Sequence, residues 1–211
     1  MAFIAFEGLD GSGKSTLIKG LTEKLKLAKI AFVLTREPGG TPMAEEIRNI
    51  LLKIEDEVPF TRTEALLYQA SRAQHVERVI RPALVEKKWI ICDRYTASSV
   101  AFQSYARGLE RSDIEWLNKF ATQNIFPDLN VLLDLSVEES HKRMAGRNLT
   151  LGTEHDRFEK EESEFHQKVR DGFLAQASRE PARWLVLDAH QPSEVLAKNL
   201  LRALVERKFL V

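Results

Sequence analysis

The chain has 211 residues, 44% of them hydrophobic and 29% charged, which is the composition of an ordinary globular protein and excludes a disordered or fibrous one. Its 31 lysines and arginines are balanced by 31 aspartates and glutamates, so no global positive field exists to hold a nucleic-acid backbone. The one cysteine, Cys92, excludes an intrachain disulfide framework and points to a reducing, cytoplasmic setting. The apolar run Ala2 to Phe6 is too short for a leader or a membrane span and reads as a first strand.

No repeat or linker interrupts the sequence, which predicts a single domain over residues 1–211. In chain order, strand-length apolar runs occur at Phe3 to Phe6, Ile30 to Leu34, Trp89 to Cys92, Leu129 to Leu135 and Trp184 to Leu187. Helical spacing separates them: Leu17, Leu21, Leu25 and Ala28; then Leu66, Ala70, Ala73 and Ile80; finally Leu196, Leu200, Leu204 and Val205. Strands that are apolar throughout and alternate with helices predict an α/β fold, a doubly wound parallel sheet with helices on both faces. Ligands are then expected at the carboxyl ends of the strands.

The first strand runs into Gly8-Leu9-Asp10-Gly11-Ser12-Gly13-Lys14-Ser15, a Walker A pattern placed between strand and helix as that motif requires. A chance match in a chain of this length has a probability of about 1%. The glycines let backbone N–H groups converge on a phosphate, Lys14 would reach the β and γ phosphates, and the Ser15 hydroxyl would ligate Mg²⁺. A phosphate loop of this kind implies a bound triphosphate and leaves the reaction open.

The second strand ends in Thr35 to Pro42, with Arg36 and Glu37 at its tip and Pro42 expected as a first helical residue. The peptide before Pro38 is a candidate for the cis form. The helix Glu64 to Glu86 is expected to bury Leu66, Ala70 and Ala73, leaving Tyr68 and Arg72 together on another face, where a planar base could stack on the ring. The third strand ends in Asp93-Arg94-Tyr95. There Asp93 fits a Walker B acid that organises Mg²⁺ or its waters, and Arg94 suits a phosphate. The stretch Arg143 to Arg157, with Arg147 between, reads as a loop that joins two helices and acts as a mobile lid over about 143–158.

The ordered set of these residues resembles bacterial thymidylate kinases: Glu7 to Thr16, Thr35 to Pro42, Glu64 to Val76, Asp93-Arg94-Tyr95 through Arg107-Gly108-Leu109, Asp156-Arg157-Phe158-Glu159, and Leu187-Asp188-Ala189. The resemblance covers nearly the whole chain. It implies a five-stranded parallel sheet of the P-loop NTPase kind, a homodimer, and transfer of the γ-phosphoryl group of ATP to dTMP in dTTP biosynthesis. It assigns Asp10 to the acceptor's 3′-hydroxyl, Arg36 and Arg94 to its phosphate with Arg48 nearby, and Tyr68 and Arg72 to its base. Ser99 and Gln103 fall at the thymine surroundings, Phe102 at the 2′ position of the sugar, and the backbone near Ala189 on the adenine side. The loop residues Gly8 through Thr16 fall to ATP.

The sequence departs from that pattern at three places. The base-stacking residue, commonly Phe, is Tyr68. The loop position that carries Arg in some members is Gly11, which moves a transition-state cation to the lid. Arg147 is the expected donor among Arg143, Arg147 and Arg157. Two other readings fit a phosphate loop. A deoxynucleoside kinase would need a base, for which Glu37 is the candidate, but arginines at 36 and 48 would be wasted on a neutral hydroxyl. A nucleotide-dependent switch would call for a guanine motif of the Asn-Lys-x-Asp kind, which the sequence lacks.

Overall fold

The computed structural model describes residues 1–53, 57–151, 157–158 and 161–210, and of residues 147–151 it gives the backbone only. Strands β1 (Phe3–Glu7), β2 (Phe32–Arg36), β3 (Trp89–Asp93), β4 (Leu129–Asp134) and β5 (Trp184–Asp188) form a five-stranded sheet in the order β2-β3-β1-β4-β5. All four pairings are parallel. The helices in chain order are α1 (Lys14–Leu27), α2 (Pro42–Leu52), α3 (Thr61–His75), α4 (Arg81–Val85), α5 (Thr96–Ser99), α6 (Arg111–Thr122), α7 (Val137–Leu151), α8 (Ser163–Arg179) and α9 (Ser193–Glu206). A π-helical segment, Val76–Ile80, joins α3 to α4, and a second, Val100–Ala106, continues α5.

Both faces of the sheet are covered, as continuously apolar strands demand. Ile4 and Phe6 of β1 pack against Leu17 and Leu21 of α1 and Leu196 and Leu200 of α9. Phe3 and Ala5, pointing the other way, meet Val76, Ile80 and Tyr95. Farther along that face, Leu132 and Trp184 lie in one cluster with Phe165, Val169 and Phe173 of α8. Gly172 lets α8 come close: a Cβ there would lie 2.8 Å from the Tyr105 ring and 3.0 Å from the Ala101 Cα.

The five expected strands are all present, with β2 beginning two residues late. Pro42 opens α2 behind an N-cap, Thr41, whose hydroxyl accepts from the Ala44 N–H at 3.2 Å. The peptide between Glu37 and Pro38 is cis.

Three expectations need correction. In α3 the burial is inverted: Leu66 is 57% exposed and Ala70 is exposed, while Arg72 is 2% exposed. Apolar spacing misplaces this face because the helix buries polar side chains that satisfy one another. At the ends of α1 and α9, Ala28 and Val205 also face outward. The segment expected as a lid loop is helical through Leu151, so Arg143 and Gly146 belong to α7.

Register places the site. In β3, Asp93 stands beside Phe6 of β1 on one side and Arg36 of β2 on the other. The phosphate loop, the Arg94 corner and the Arg36 turn therefore issue from three adjacent strands at one edge, near the point where the winding of the sheet reverses.

Candidate active site

The chain leaves β1 at Gly8, where φ is 132° and an added Cβ would sit 2.5 Å from the Leu133 carbonyl oxygen, so only glycine fits. Gly13 caps α1 in a left-handed conformation with no side-chain cap, and the first turn of α1 holds no acidic residue. The N–H groups at that helix end are free to face an anion. Lys14 folds back over the loop, its Nζ donating to the carbonyls of Gly8 at 3.1 Å and Leu9 at 3.0 Å. Burial and the charge of Arg94 lower the Lys14 pKa, against the pull of the carboxylates of Asp10, Asp93 and Glu7.

A cleft of about 570 Å³ opens above this loop. Its lining brings together Asp10, Gly11, Gly13, Lys14, Ser15 and Thr16 of the loop and first helix, Arg36 and Arg48, and Tyr68, Arg72, Ser99, Phe102 and Gln103. Asp93 and Arg94 line it as well. Gly8, Leu9 and Ser12 are buried beneath the loop, and Ala189 is buried beside it, its carbonyl accepting from Arg143 Nη1 at 3.1 Å.

Arg94 has a φ of 68° and reaches Asp10, Nη2 to Oδ1 at 2.7 Å. Burial opposes its charge, but the carboxylates of Asp10, Asp93 and Glu7 outweigh that and raise its pKa. The guanidinium lies 5.3 Å from the centre of the Phe102 ring, a cation–π distance. At the rim, Arg36 is steadied by Glu45 at 2.7 Å, and Arg48 donates to the Pro38 carbonyl at 3.0 Å.

Arg72 is the hub of a buried polar network. Nε donates to Glu37 Oε2 at 2.7 Å, and Nη1 lies 3.0, 2.9 and 2.7 Å from acceptors on Gln69, Ser99 and Asn118. Nη2 donates to the Tyr95 carbonyl at 3.0 Å, which leaves one Nη2 hydrogen for a ligand. His75 Nδ1 meets the other oxygen of Glu37 at 2.8 Å. Glu37 is therefore engaged at both oxygens and serves as a brace, which removes the candidate base from the deoxynucleoside kinase reading.

Sequence reasoning missed Glu7, Glu64, His75, Ser98 and Asn118. Glu64, 1% exposed, accepts from Gln103 Nε2 at 2.9 Å and Arg157 Nη2 at 2.7 Å. Arg157 is thereby tied to the acceptor side of the cleft. A buried acid has no periodicity signal of its own; for Glu7 the one available signal is a charge directly following the apolar run Ala2 to Phe6. The Arg147 side chain, Asp156 and Glu159 lie outside the described residues.

For a divalent cation, the fitting observation is Asp93 Oδ1, buried at the cleft with no hydrogen-bond partner. Among the described residues no group of three or more His, Cys, Asp or Glu could hold a metal ion.

A parallel sheet with a phosphate loop after its central strand and a cation-lined cleft at the neighbouring strand ends defines a P-loop phosphotransferase. The family model described as thymidylate kinase matches residues 6–200. A thymidylate kinase of Bdellovibrio bacteriovorus is 54% identical over 210 residues, covering 100% of this chain and 98% of the relative. One of Geotalea uraniireducens is 43% identical over 206 residues, covering 97% of each. The crystal structure of thymidylate kinase from Ehrlichia chaffeensis superposes with a TM-score of 0.76 at 32% identity, covering 96% of this chain and 98% of that one. The chain belongs to the thymidylate kinase family.

Proposed function

We infer that this chain transfers the γ-phosphoryl group of ATP to the 5′-phosphate of dTMP, giving dTDP and ADP. The single observation that carries the reading is the pairing of a phosphate loop with a second cation cluster, Arg36, Arg48 and Arg94, in the same cleft. Those arginines suit an acceptor that is already a phosphate. Such a monoester, with a second pKa near ~6, is largely ionised at neutral pH and needs no strong base.

In this reading the phosphate loop and Lys14 hold the triphosphate while Arg36 and Arg94 hold the acceptor in line. An oxygen of the dTMP phosphate attacks the γ-phosphorus, and the bond to the bridging oxygen breaks, leaving its electron pair on ADP. Lys14 and a lid arginine neutralise the charge that develops. Gly11 supports the lid as its source: the loop carries no cation at this position, and with φ 75° and an added Cβ 3.0 Å from the Ser140 carbonyl a side chain there would be strained and tightly packed. Arg143 lines the cleft above Gly11, and Arg147 lies one turn farther along α7. Ser15 and Asp93 would hold Mg²⁺, which supplies charge neutralisation on the β and γ oxygens when bound.

The base of dTMP would stack on Tyr68 and take the remaining hydrogen of Arg72, with Ser99 and Gln103 beside it. Phe102 would close the sugar's 2′ side and Asp10 would take the 3′-hydroxyl. Ala189, bonded to Arg143, would border the adenine. A homodimer is supported by the outward apolar residues of two packed helices, Leu66 of α3 and Trp116 and Phe120 of α6, the latter two rings stacked at 5.5 Å. A cytoplasmic setting fits the free, buried Cys92 thiol.

Incubation with ATP and either dTMP or thymidine tests the reaction. The expected product is dTDP from dTMP and nothing from thymidine; phosphorylation of thymidine alone would overturn the reading.

A further inference from the structure

We propose that Glu7 is a positioning residue for Arg94, acting through the Arg94–Tyr95 corner and the Ser98 hydroxyl without touching substrate. The inference rests on the assignment of Arg94 to the acceptor phosphate.

Glu7 ends β1 and is wholly buried, a costly place for a carboxylate unless every lone pair is used. Its Oε1 accepts from the Tyr95 backbone N–H at 2.9 Å, and its Oε2 accepts from the Ser98 hydroxyl at 2.6 Å. Immediately before the first of those donors stands Arg94, whose φ of 68° is a left-handed conformation that long side chains adopt rarely. The corner is pinned on each side: the Arg94 N–H donates to the Phe6 carbonyl at 2.9 Å, its own carbonyl accepts from Cys92 Sγ at 3.0 Å, and the next N–H is held by Glu7. Without Glu7, the Tyr95 N–H would be buried and unpaired, and the strained corner would lose a brace.

The Ser98 hydroxyl has a single proton. When Glu7 is ionised that proton points to Oε2, and the Ser98 oxygen stands 3.4 Å from Arg94 Nη1 as an acceptor. A protonated Glu7 would instead donate to Ser98 and turn the hydroxyl proton toward the guanidinium. The groups that face Glu7 are the Ser98 hydroxyl, the Arg94 guanidinium, the Tyr95 N–H, the Lys14 ammonium and the Cys92 thiol. Burial raises the Glu7 carboxyl to about 7, against the pull of Ser98, Arg94, Tyr95 and Lys14. The change of state therefore falls within the working range of pH, and the ionised form is the one that orients Arg94.

The test is steady-state kinetics on the full chain with ATP and dTMP varied separately, for wild type, Glu7→Gln, Ser98→Ala, Arg94→Lys and the double variant Glu7→Gln/Arg94→Lys, with thermal melts of each. Glu7→Gln should raise the KM for dTMP about tenfold and leave that for ATP within about twofold. Added to Arg94→Lys, it should cost no more than about a further twofold, because both changes act on one contact. In wild type, kcat/KM for dTMP should rise with pH through about 7. Glu7→Gln should lose that step and keep the one near ~6 that belongs to the substrate phosphate. Wild-type dTMP kinetics in Glu7→Gln beside an impaired Arg94→Lys would overturn the role of Glu7 alone. An unaffected Arg94→Lys would overturn the Arg94 assignment and this proposal with it. Should Glu7→Gln fail to fold, Ser98→Ala decides: a raised dTMP KM supports the relay, and an unchanged one overturns it.

Discussion

Arg72 Nε donates to Glu37 Oε2 at 2.7 Å between side chains that are only 2% and 3% exposed. The pair joins the tip of β2 to α3, and through Ser99 and Asn118 it reaches the corner after β3 and helix α6. Four segments distant in sequence thus close around one guanidinium. Removing one partner leaves the other charge buried and uncompensated, a loss of about 3–5 kcal/mol. Glu37→Ala should accordingly lower the unfolding free energy by that order in urea titrations. An effect below about 1 kcal/mol would show that the network is not a brace.

Lys14 and the arginines of α7 and beyond are separable by what their loss changes. Lys14→Ala should cut kcat at least about a hundredfold, as loss of a transition-state cation does. Arg147→Ala should lower kcat by about tenfold or more with little change in ATP KM. Arg157→Ala, by freeing Glu64 on the acceptor side, should act mainly on dTMP KM and on the melting temperature. Rapid-quench measurement of the chemical step distinguishes them; a larger loss of that step in Arg157→Ala than in Arg147→Ala would reverse the assignment.

In the proposed function Tyr68 contributes its ring. Burial raises its phenol pKa, so the hydroxyl stays protonated through the range in which the enzyme works. Tyr68→Phe should change dTMP KM by less than about threefold, whereas Tyr68→Ala, which removes a stacking platform worth ~1–3 kcal/mol per base, should raise it about tenfold or more. Equal losses in the two variants would assign a role to the hydroxyl.

Trp116 and Phe120 are 62% and 73% exposed, and an outward aromatic pair of that size is an interface signature. Sedimentation velocity at micromolar concentration should give a dimer for the wild-type chain and a monomer for Trp116→Glu/Phe120→Glu. A wild-type monomer would remove the homodimer from the proposed function.

Much of this molecule follows from local sequence. Runs such as Trp89 to Cys92, apolar at every position, can only be buried on both faces, so parallel pairing under two helical layers is set by composition. The phosphate loop is equally local, because its glycines and Lys14 fall within eight consecutive residues, as a motif for one anion requires. The tip residues Arg36 and Arg94 were legible too, since strand ends are where a doubly wound sheet binds ligands. Tertiary structure alone decided the rest. Arg72 reads as a base-contacting partner of Tyr68 on an open helix face until Glu37, Asn118 and Ser99 come together around it, and Glu7 reads as the edge of a motif until Tyr95 and Ser98 meet its two oxygens. Periodicity registers apolar burial, which each residue contributes independently. A buried polar group is tolerated only when partners from distant segments satisfy it, and those partners are fixed by the register of β3 between β1 and β2.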